Sequence, residues 1–398
     1  MASMLDRLRA AQPISSQPKA APAALELLVK ETCAQIAVEQ REISRETLEY
    51  LGVHAQQNIP LENFLFVDTE TTGLRGGAGT VAFLIGLGQF RGNTLQVTQY
   101  LIRDYHQEPL MLRQVLPRIE GAGCVVTFNG ASFDMPLLDS RATVNRLQDA
   151  YRVPLHLDLI HAARRVFRMR IRQCSLGAIE AQVFGQTRED DLPGAEIPAR
   201  FFEYLKSRDE GLMDAVLSHN FTDITSLARL MLLICRLHEK PLEAGHQQDI
   251  FSIGKVYEKH GQVGRAAACF RACTDRDVKV LAGLRLADMY KRRWDNPEAA
   301  AAYEALLAAR AESPHVYTAL AKIYEHRMRQ PARALDIVRR GMLYCAERRH
   351  ISAKAAEDYA ALEHRYLRLV RKVEKQKHGI LKQVESQIRP VETPEGAN

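Results

Sequence analysis

The stretch that decides the fold is Phe64-Leu-Phe-Val-Asp68-Thr-Glu70-Thr-Thr-Gly73. Four apolar residues lead into two carboxylates that are one residue apart, so in an extended strand both project from the same side. A buried strand that delivers two such acids incurs a desolvation cost that an ordinary surface strand avoids. The pattern therefore predicts that Asp68 and Glu70 bind divalent cations, which favour oxygen ligands.

The segments after this strand predict an α/β domain. Residues 81–90 form a second apolar run and residues 94–102 alternate apolar with polar side chains, so both are expected to be strands. Turns are expected at residues 76–79 and 91–93. Helices and strands then alternate, with a helix over 108–119, a strand over 124–128, a helix over about 136–146, a strand over 155–157 and helices up to 185. This order implies a mixed sheet of three antiparallel strands followed by βα units, with helices on its faces.

Two later segments add side chains to the first acidic pair. Asp134 begins a helix directly after the strand at 124–128, where it can reach the same cations, and an ordinary helix N-cap is the alternative role. His219 and Asp223 are four residues apart in a helix expected over 210–238, so both can point at one place. A surface hydrogen bond is the alternative for that pair.

Length and composition favour a soluble protein of two or three domains. The chain has 398 residues, of which 46% are hydrophobic and 26% charged. Its longest apolar runs are too short for a membrane-spanning helix. Residues 1–23 are expected to be a flexible tail without a signal-peptide pattern, which predicts a cytoplasmic protein, and residues 24–60 are expected to be helical or irregular. Seven cysteines, an odd number spread along the chain, predict neither a disulfide framework nor a zinc site.

The second half of the chain carries an internal repeat. Tyr257, Tyr290 and Tyr324 are spaced by 33 and 34 residues, which is the period of a tetratricopeptide repeat. The pattern predicts an all-α tetratricopeptide-like solenoid over 241–350, followed by a capping helix and tail over 351–398. Such a solenoid presents a concave surface that can recruit a protein partner.

Charge is distributed unevenly along the chain, whose formal net charge is +6. Residues 1–250 contain 26 Lys and Arg against 30 Asp and Glu, whereas residues 251–398 contain 28 against 18. An acidic half that holds metals and a basic half that holds phosphates would suit an enzyme acting on a polyanion, and a basic surface that aids solubility is the alternative. A second basic segment contains Arg164, Arg165, Arg168, Arg170 and Arg172, which either hold substrate phosphates or form a solvated face.

Taken together, the motifs resemble those of a known family. Besides the first strand they comprise Asn129-Gly130, Ser132-Phe133-Asp134, His156-Leu157-Asp158-Leu159, Ser175-Leu176-Gly177 and Asp191-Leu192-Pro193-Gly194. Over residues 63–237 the chain resembles the YprB-type ribonuclease H-like domain of the DnaQ-like (DEDD) exonuclease superfamily. The resemblance implies a ribonuclease H-like nuclease domain over 61–240 that uses two divalent cations, Mg²⁺ or Mn²⁺.

The same resemblance implies roles for single residues. The implied metal ligands are Asp68, Glu70, Asp134 and Asp223, and His219 occupies the position of the water-orienting residue. His219 stands four residues before Asp223, where one branch of the family has Tyr, whereas the histidine branch places its His five before. A neutral imidazole at this position can take a proton from the attacking water near neutral pH. Asp158 is expected to support these residues rather than to bind metal.

The predicted function is hydrolysis of phosphodiester bonds in nucleic acid by in-line attack of water, with the two cations ~3.5–4 Å apart. A 3′–5′ exonuclease polarity is implied by the resemblance alone. Residues expected to contact the substrate are Thr69, Asn129, Arg168, Arg170 and Arg172. The alternative is a nucleic-acid-binding or partner-recruiting scaffold with a weak or inactive nuclease domain. The sequence neither distinguishes DNA from RNA nor indicates an oligomeric state.

Overall fold

The computed structural model describes residues 26–73, 79–148, 152–153, 155–188, 192–348, 350–351 and 353–388. The tail predicted over 1–23, most of the turn predicted over 76–79, and Asp191 of the family motif lie outside the described residues.

The chain divides into two compact units. The first contains the residues up to Ala163 together with Gln173–Cys235, and the second contains Arg164–Arg172 and the residues from Arg236 onward. The boundary predicted at 240/241 lies close to the one at 235/236. No sequence pattern indicates that residues 164–172 group with the second unit, because the Arg-rich segment continues a helix of the first.

The first unit is built on a mixed sheet. Its strands are β1 (Leu28–Gln35), β4 (Phe64–Thr71), β5 (Ala82–Arg91), β6 (Thr94–Leu101), β7 (Cys124–Thr127) and β8 (His156–Asp158), beside a ribbon of β2 (Glu42–Ile43) and β3 (Ile59–Pro60). The strand order is β1-β6-β5-β4-β7-β8. Strands β4, β5 and β6 pair antiparallel, whereas β7 runs parallel to β4 and β8 runs parallel to β7. The predicted mixed sheet, with three antiparallel strands before its βα units, is therefore confirmed.

Strand β4 lies in the interior of the sheet because its first half is apolar on both faces. Residues from Phe64 to Val67 are at most 1% exposed. The parallel neighbour β7 ends at Thr127, one residue after the pair formed by Phe66 and Val126. The acids of β4 consequently extend past the carboxyl end of β7, which is the edge where ligands bind in open α/β sheets.

Strand β1 differs from the expectation that residues 24–60 are helical or irregular. Leu28–Gln35 pairs with β6 along its whole length, from Leu28 opposite Leu101 to Gln35 opposite Thr94. Most of its side chains are exposed, so no buried face imposes a clear alternation on its sequence. Main-chain hydrogen bonds to β6 define this edge strand, and the periodicity of its side chains does not reveal it.

Helices cover the sheet and position three of the candidate residues. They are α1 (Arg45–Leu51), α2 (Glu108–Glu120), α3 (Asp134–Val144), α4 (Leu159–Phe167), α5 (Leu176–Ile179), α6 (Ile197–Ser207) and α7 (Gly211–Glu239). Helix α3 is fixed to α2 by Arg141, whose Nε and Nη2 donate to the two oxygens of Glu108, each at 2.6 Å. Both side chains are buried, so this bidentate pair sets the position at which α3 begins.

The second unit is helical. Its helices are α8 (Gln247–Lys259), α9 (Val263–Ala272), α10 (Arg276–Arg292), α11 (Asn296–Ala308), α12 (Pro314–Lys322), α13 (Pro331–Ala346) and α14 (Ala353–Ile388), with a π turn (Ile323–Arg327) after α12. Helices pack in successive pairs, α8 on α9, α10 on α11 and α12 on α13. The repeated Tyr257, Tyr290 and Tyr324 are all buried in these pairs. A helical region is thus confirmed, and its assignment as tetratricopeptide-like stays a prediction.

Helix α14 packs on α13, and its role as a cap stays a prediction. Leu362 and Leu369 are buried, and Arg365 and Arg368 donate to Glu325 at 2.8 and 2.7 Å. Within the described parts of the chain, no helix is both long enough and apolar enough to cross a bilayer.

Candidate active site

Three of the predicted acids meet at the carboxyl edge of β4 and β7. Asp68 and Glu70 stand on β4, and Asp134 is the first residue of α3, which follows β7 after a short turn. The hydroxyl of Thr69 donates to Asp134 Oδ1 at 2.6 Å, which joins the strand to the helix. Phe133 occupies the cap position of α3, so Asp134 does not serve as the N-cap.

Helix α7 brings the remaining two predicted residues to the same place. His219 Nε2 lies 3.9 Å from Glu70 Oε1 and 3.6 Å from Asp223 Oδ2. The imidazole therefore lies between a carboxylate of the strand and a carboxylate of its own helix. All five residues predicted from the sequence as ligands or base, namely Asp68, Glu70, Asp134, His219 and Asp223, belong to this one cluster.

The electrostatics of the cluster show how strongly the acids interact. Burial raises the pKa of Asp68 well above its ordinary value, and repulsion from Asp223, Glu70 and Asp134 raises it further. Burial raises the pKa of Asp134 to about 6, although the Thr69 hydrogen bond opposes this shift. Burial also raises the pKa of Asp223, with Arg188 and His219 acting in the opposite direction.

The side chains of the cluster offer carboxylate oxygens to the divalent cations that the resemblance implies. Clustered carboxylates that repel one another are stabilised by a hard cation, and oxygen donors of this kind suit Mg²⁺ or Mn²⁺. Among the described His, Cys, Asp and Glu side chains, no group of three or more has the mutual arrangement of a metal site. Asp68 directs Oδ2 to Asn220 and Asp223 directs Oδ1 to Arg188. The donor types fit such cations, although the oxygens do not converge on one point in this structure.

The sheet domain is similar to known proteins. A family model described as the RNase_H superfamily matches residues 65–235, which span the sheet from β4 onward and most of α7. Residues 65–235 form a ribonuclease H-like domain. The similarity of these residues to the superfamily favours a nuclease-like function, that of a hydrolase acting on nucleic acid.

Two similar proteins can be named. The chain is 29% identical over 294 residues to "Uncharacterized protein YprB" of Bacillus subtilis (strain 168), which covers 70% of this chain and 69% of that protein. It is 15% identical to the family B DNA polymerase from the hyperthermophilic archaeon Pyrobaculum calidifontis, with a TM-score of 0.34 over 50% of this chain and 29% of the polymerase. The chain thus spans less than a third of the polymerase's length.

The ribonuclease H-like domain contains a buried amide pair that the sequence did not reveal. Asn220 on α7 is fully buried, and its Nδ2 donates to Asp68 Oδ2 at 2.8 Å. Gln99 on β6 donates in turn to Asn220 Oδ1 at 2.9 Å and to the Leu217 carbonyl at 2.7 Å. The pair fixes one oxygen of Asp68. In the sequence this pair is marked only by Asn220, which stands between His219 and Asp223. An Asn at such a position is too common to be diagnostic.

Gly86 on β5 makes room for Asn220. It stands opposite Asp68 in the sheet, and a Cβ at this position would lie 2.2 Å from Asn220 Oδ1. We expect Gly86→Ala to destabilise the domain by about 1–3 kcal/mol, as overpacking does, and to displace Asn220 from Asp68. Urea unfolding measures the change. Gly177→Ala is the matched control, because nothing lies within 4 Å of its added Cβ; equal stabilities of the two variants would contradict the prediction.

Asp158 supports the turn that presents Asp134. Its Oδ1 accepts from the backbone N–H of Asn129 at 2.7 Å, and its Oδ2 accepts from that of Ala131 at 3.1 Å. Asn129 has a φ of 65°, a left-handed conformation that Asn tolerates. Gly130 follows, where a Cβ would lie 2.8 Å from Asp134 Oδ2. Asp158 therefore makes the contacts expected of a supporting residue, and substrate binding by Asn129 stays a prediction.

Arg188 is a cation in the cluster that sequence reasoning missed. Its Nε and Nη2 donate to the two oxygens of Glu180 at 2.6 and 2.7 Å, and its Nη2 also donates to Asp223. Burial opposes the charge of Arg188, but Glu180 and Asp223 outweigh this effect and raise its pKa. Arg188 follows Gly185 in a stretch without helical or strand periodicity, so no pattern pointed to it.

One arginine of the Arg-rich segment binds a carboxylate of the second unit. Arg170 uses its Nε and Nη2 to bind Asp249 at 3.1 and 2.9 Å, inside the second unit. Its fork is thus engaged by a buried carboxylate, and contact of Arg170 with substrate phosphate stays a prediction. Arg168 and Arg172 are exposed, and their contact with substrate stays a prediction.

Removal of the Asp134 charge should stabilise the metal-free protein. A folded-state pKa of about 6 exceeds the ordinary 3.8, so the folded chain binds protons more tightly than the unfolded chain, and stability falls as pH rises through this interval. We expect Asp134→Asn to raise the free energy of unfolding by about 1–3 kcal/mol at pH 8 in a chelator, and by much less at pH 4.

Urea unfolding at the two pH values checks this expectation. Glu203→Gln, which changes an exposed acid of the same unit, is the control and should change stability at neither pH. An Asp134→Asn protein that is less stable than wild type at pH 8 would contradict the assigned burial of the carboxylate.

Proposed function

We propose that the ribonuclease H-like domain is a metal-dependent nuclease that hydrolyses phosphodiester bonds in nucleic acid, acting as a 3′–5′ exonuclease. The observation that carries the proposal is the convergence of Asp68, Glu70, Asp134 and Asp223, with His219, at one edge of the sheet. The polarity of cleavage rests only on the resemblance to the DnaQ-like superfamily.

Two divalent cations, Mg²⁺ or Mn²⁺, would be held by those four carboxylates. When bound, they supply activation of water and stabilise the attacking and leaving oxygens of an in-line displacement. Asn220 would hold one oxygen of Asp68, and Thr69 would hold one oxygen of Asp134. The other oxygen of each acid is left to the cations. Such support of ligand orientation is a general requirement of metal sites.

His219 would act as the proton acceptor for the attacking water. It lies between Glu70 and Asp223, both within 4 Å, so its Nε2 faces the carboxylates that would hold the cations. Thr69, Asn129, Arg168 and Arg172 would contribute to holding the nucleic acid. The basic helical unit would extend the path of the substrate or recruit a protein partner.

A second candidate function is a nucleic-acid-binding or partner-recruiting scaffold with a weak or inactive nuclease domain. The ion pair of Arg188 with Asp223 favours it, because a cation of the chain already neutralises one of the presumed ligands. Under this alternative the acids shape a binding surface and do no chemistry.

Digestion of end-labelled nucleic acids separates the two candidates. Single-stranded, duplex and overhanging DNA and RNA are incubated with the full chain and Mg²⁺ or Mn²⁺, beside a chelator and the Asp68→Ala variant. The proposed function predicts cation-dependent shortening from the 3′ end that Asp68→Ala lacks. Binding without cleavage of any of these substrates would favour the scaffold, and cleavage retained by Asp68→Ala would contradict the assigned site.

A further inference from the structure

Arg188 is placed where a nuclease of this kind needs a cation. A phosphodiester is an anion, and it must approach a cluster in which Asp68, Glu70, Asp134 and Asp223 repel one another. Arg188 Nη2 donates to Asp223, and Nη1 lies 3.5 Å from His219 Nδ1. Its guanidinium therefore contacts both the acid and the base that α7 brings to the site.

The anchoring of Arg188 is more specific than a chance surface contact. Glu180 is 2% exposed and binds the guanidinium through two short hydrogen bonds. Ser226, one turn beyond Asp223 on α7, donates its hydroxyl to the same carboxylate. The fork thus has a fixed direction before any substrate arrives, which is the preorganisation that electrostatic stabilisation in an active site requires.

We propose that the Arg188 guanidinium binds the scissile phosphate and stabilises the charge on its oxygens in the transition state, a role that rests on the proposed nuclease function. The planar fork of arginine matches phosphate oxygens, and cations that contact them during transfer contribute large rate factors. Nη2 is shared between Glu180 and Asp223. When Asp223 serves as a metal ligand, the donor that it now occupies becomes available to a phosphate oxygen, while Glu180 keeps the fork in place.

A structural role predicts different behaviour. If Arg188 only neutralises buried Glu180, then removing both charges together should restore stability and turnover alike, because no buried charge is left unpaired. If Arg188 contacts the phosphate, the double variant Arg188→Gln/Glu180→Gln should recover stability but not turnover. Arg188→Lys keeps a positive charge without the fork and should give an intermediate rate.

The experiment measures kcat and KM on an end-labelled oligonucleotide that the wild type cleaves, Mn²⁺ affinity by calorimetry without nucleic acid, and Tm. The chains compared are wild type, Arg188→Lys, Arg188→Gln, the double variant and Arg229→Gln. Arg229 is the matched control, because it lies on α7 and contacts Gln186 and Phe184 instead of a carboxylate.

The expected result is a fall in kcat of about 10²–10³-fold for Arg188→Gln and for the double variant, with KM changed much less. Mn²⁺ affinity should be equal to or higher than that of wild type, because a competing cation has left Asp223. A kcat of Arg188→Gln within a few-fold of Arg229→Gln, or recovery of turnover in the double variant, would overturn the proposal. A wild-type chain that cleaves nothing contradicts the nuclease function itself and removes this inference with it.

Discussion

Asp68→Asn is expected to lower cation-dependent cleavage by at least about 10³-fold while the domain stays folded. The substitution keeps the size of the side chain but removes one of the negative charges that together would hold the cations. A cation at such a site supplies several kcal/mol of transition-state stabilisation. Stability should rise, because burial and three neighbouring acids raise the pKa of Asp68 and make its ionised form costly in the metal-free protein. The rate is measured under single-turnover conditions with saturating Mn²⁺.

Asp139→Asn is the matched control for this experiment, since it removes one exposed carboxylate of the same unit and should retain the wild-type rate. Unchanged cleavage by Asp68→Asn would show that the cluster does not carry the chemistry. Loss of cleavage together with a lower Tm would point to misfolding instead, and it would count against the assignment of a raised pKa to Asp68.

Glu108→Ala is expected to lower the free energy of unfolding by about 3–5 kcal/mol, because it leaves the buried guanidinium of Arg141 without its carboxylate. Both oxygens of Glu108 bind Arg141 at 2.6 Å, and Asn145 donates to Glu108 Oε2 at 3.0 Å. The variant therefore breaks three hydrogen bonds at once. Because the pair fixes α3, which begins with Asp134, cleavage should also weaken. Urea unfolding and the rate assay measure the two effects.

An exposed ion pair of the same unit supplies the control for Glu108. Arg208 lies 3.3 Å from Asp104, with side chains 44% and 38% exposed, so Asp104→Ala should cost at most about 1 kcal/mol. A Glu108→Ala cost no larger than that of Asp104→Ala would contradict the assigned burial. The double variant Glu108→Leu/Arg141→Met should recover much of the loss, since it leaves no charge unpaired.

The interior strands of the sheet were predictable because burial imposes a pattern on their residues. The apolar runs in β4 and β5, and the alternation in β6, identify these strands without any tertiary information. Strand β1 was not predictable, because an edge strand with exposed side chains is held by main-chain hydrogen bonds that any sequence can make. The grouping of residues 164–172 was hidden for a similar reason, since Asp249, the partner of Arg170, lies 79 residues away.

The members of the acidic cluster were predictable because the periodicity of a strand or helix determines which of its side chains lie on one side. Asp68 and Glu70 share one side of a strand, and Asp223 is one helical turn from His219. Arg188 and Glu180 were not predicted because a segment without regular secondary structure brings them together. No sequence spacing marks such a pair. Asn220 escaped because its role depends on the absence of a side chain at Gly86, which becomes meaningful only when the two strands and the helix are assembled.

The division of the chain has a consequence for the order of synthesis. The chain passes between the units at 163/164, 172/173 and 235/236, so no single cut separates them. Residues up to 235 must leave the ribosome before the first unit is whole, and by then the segment 164–172 has already emerged without the helices it joins. A gene fragment that starts at codon 241 encodes Asp249, which is 3% exposed, but not Arg170. A fragment encoding only the helices from Gln247 onward therefore lacks a nine-residue segment that belongs to the same unit.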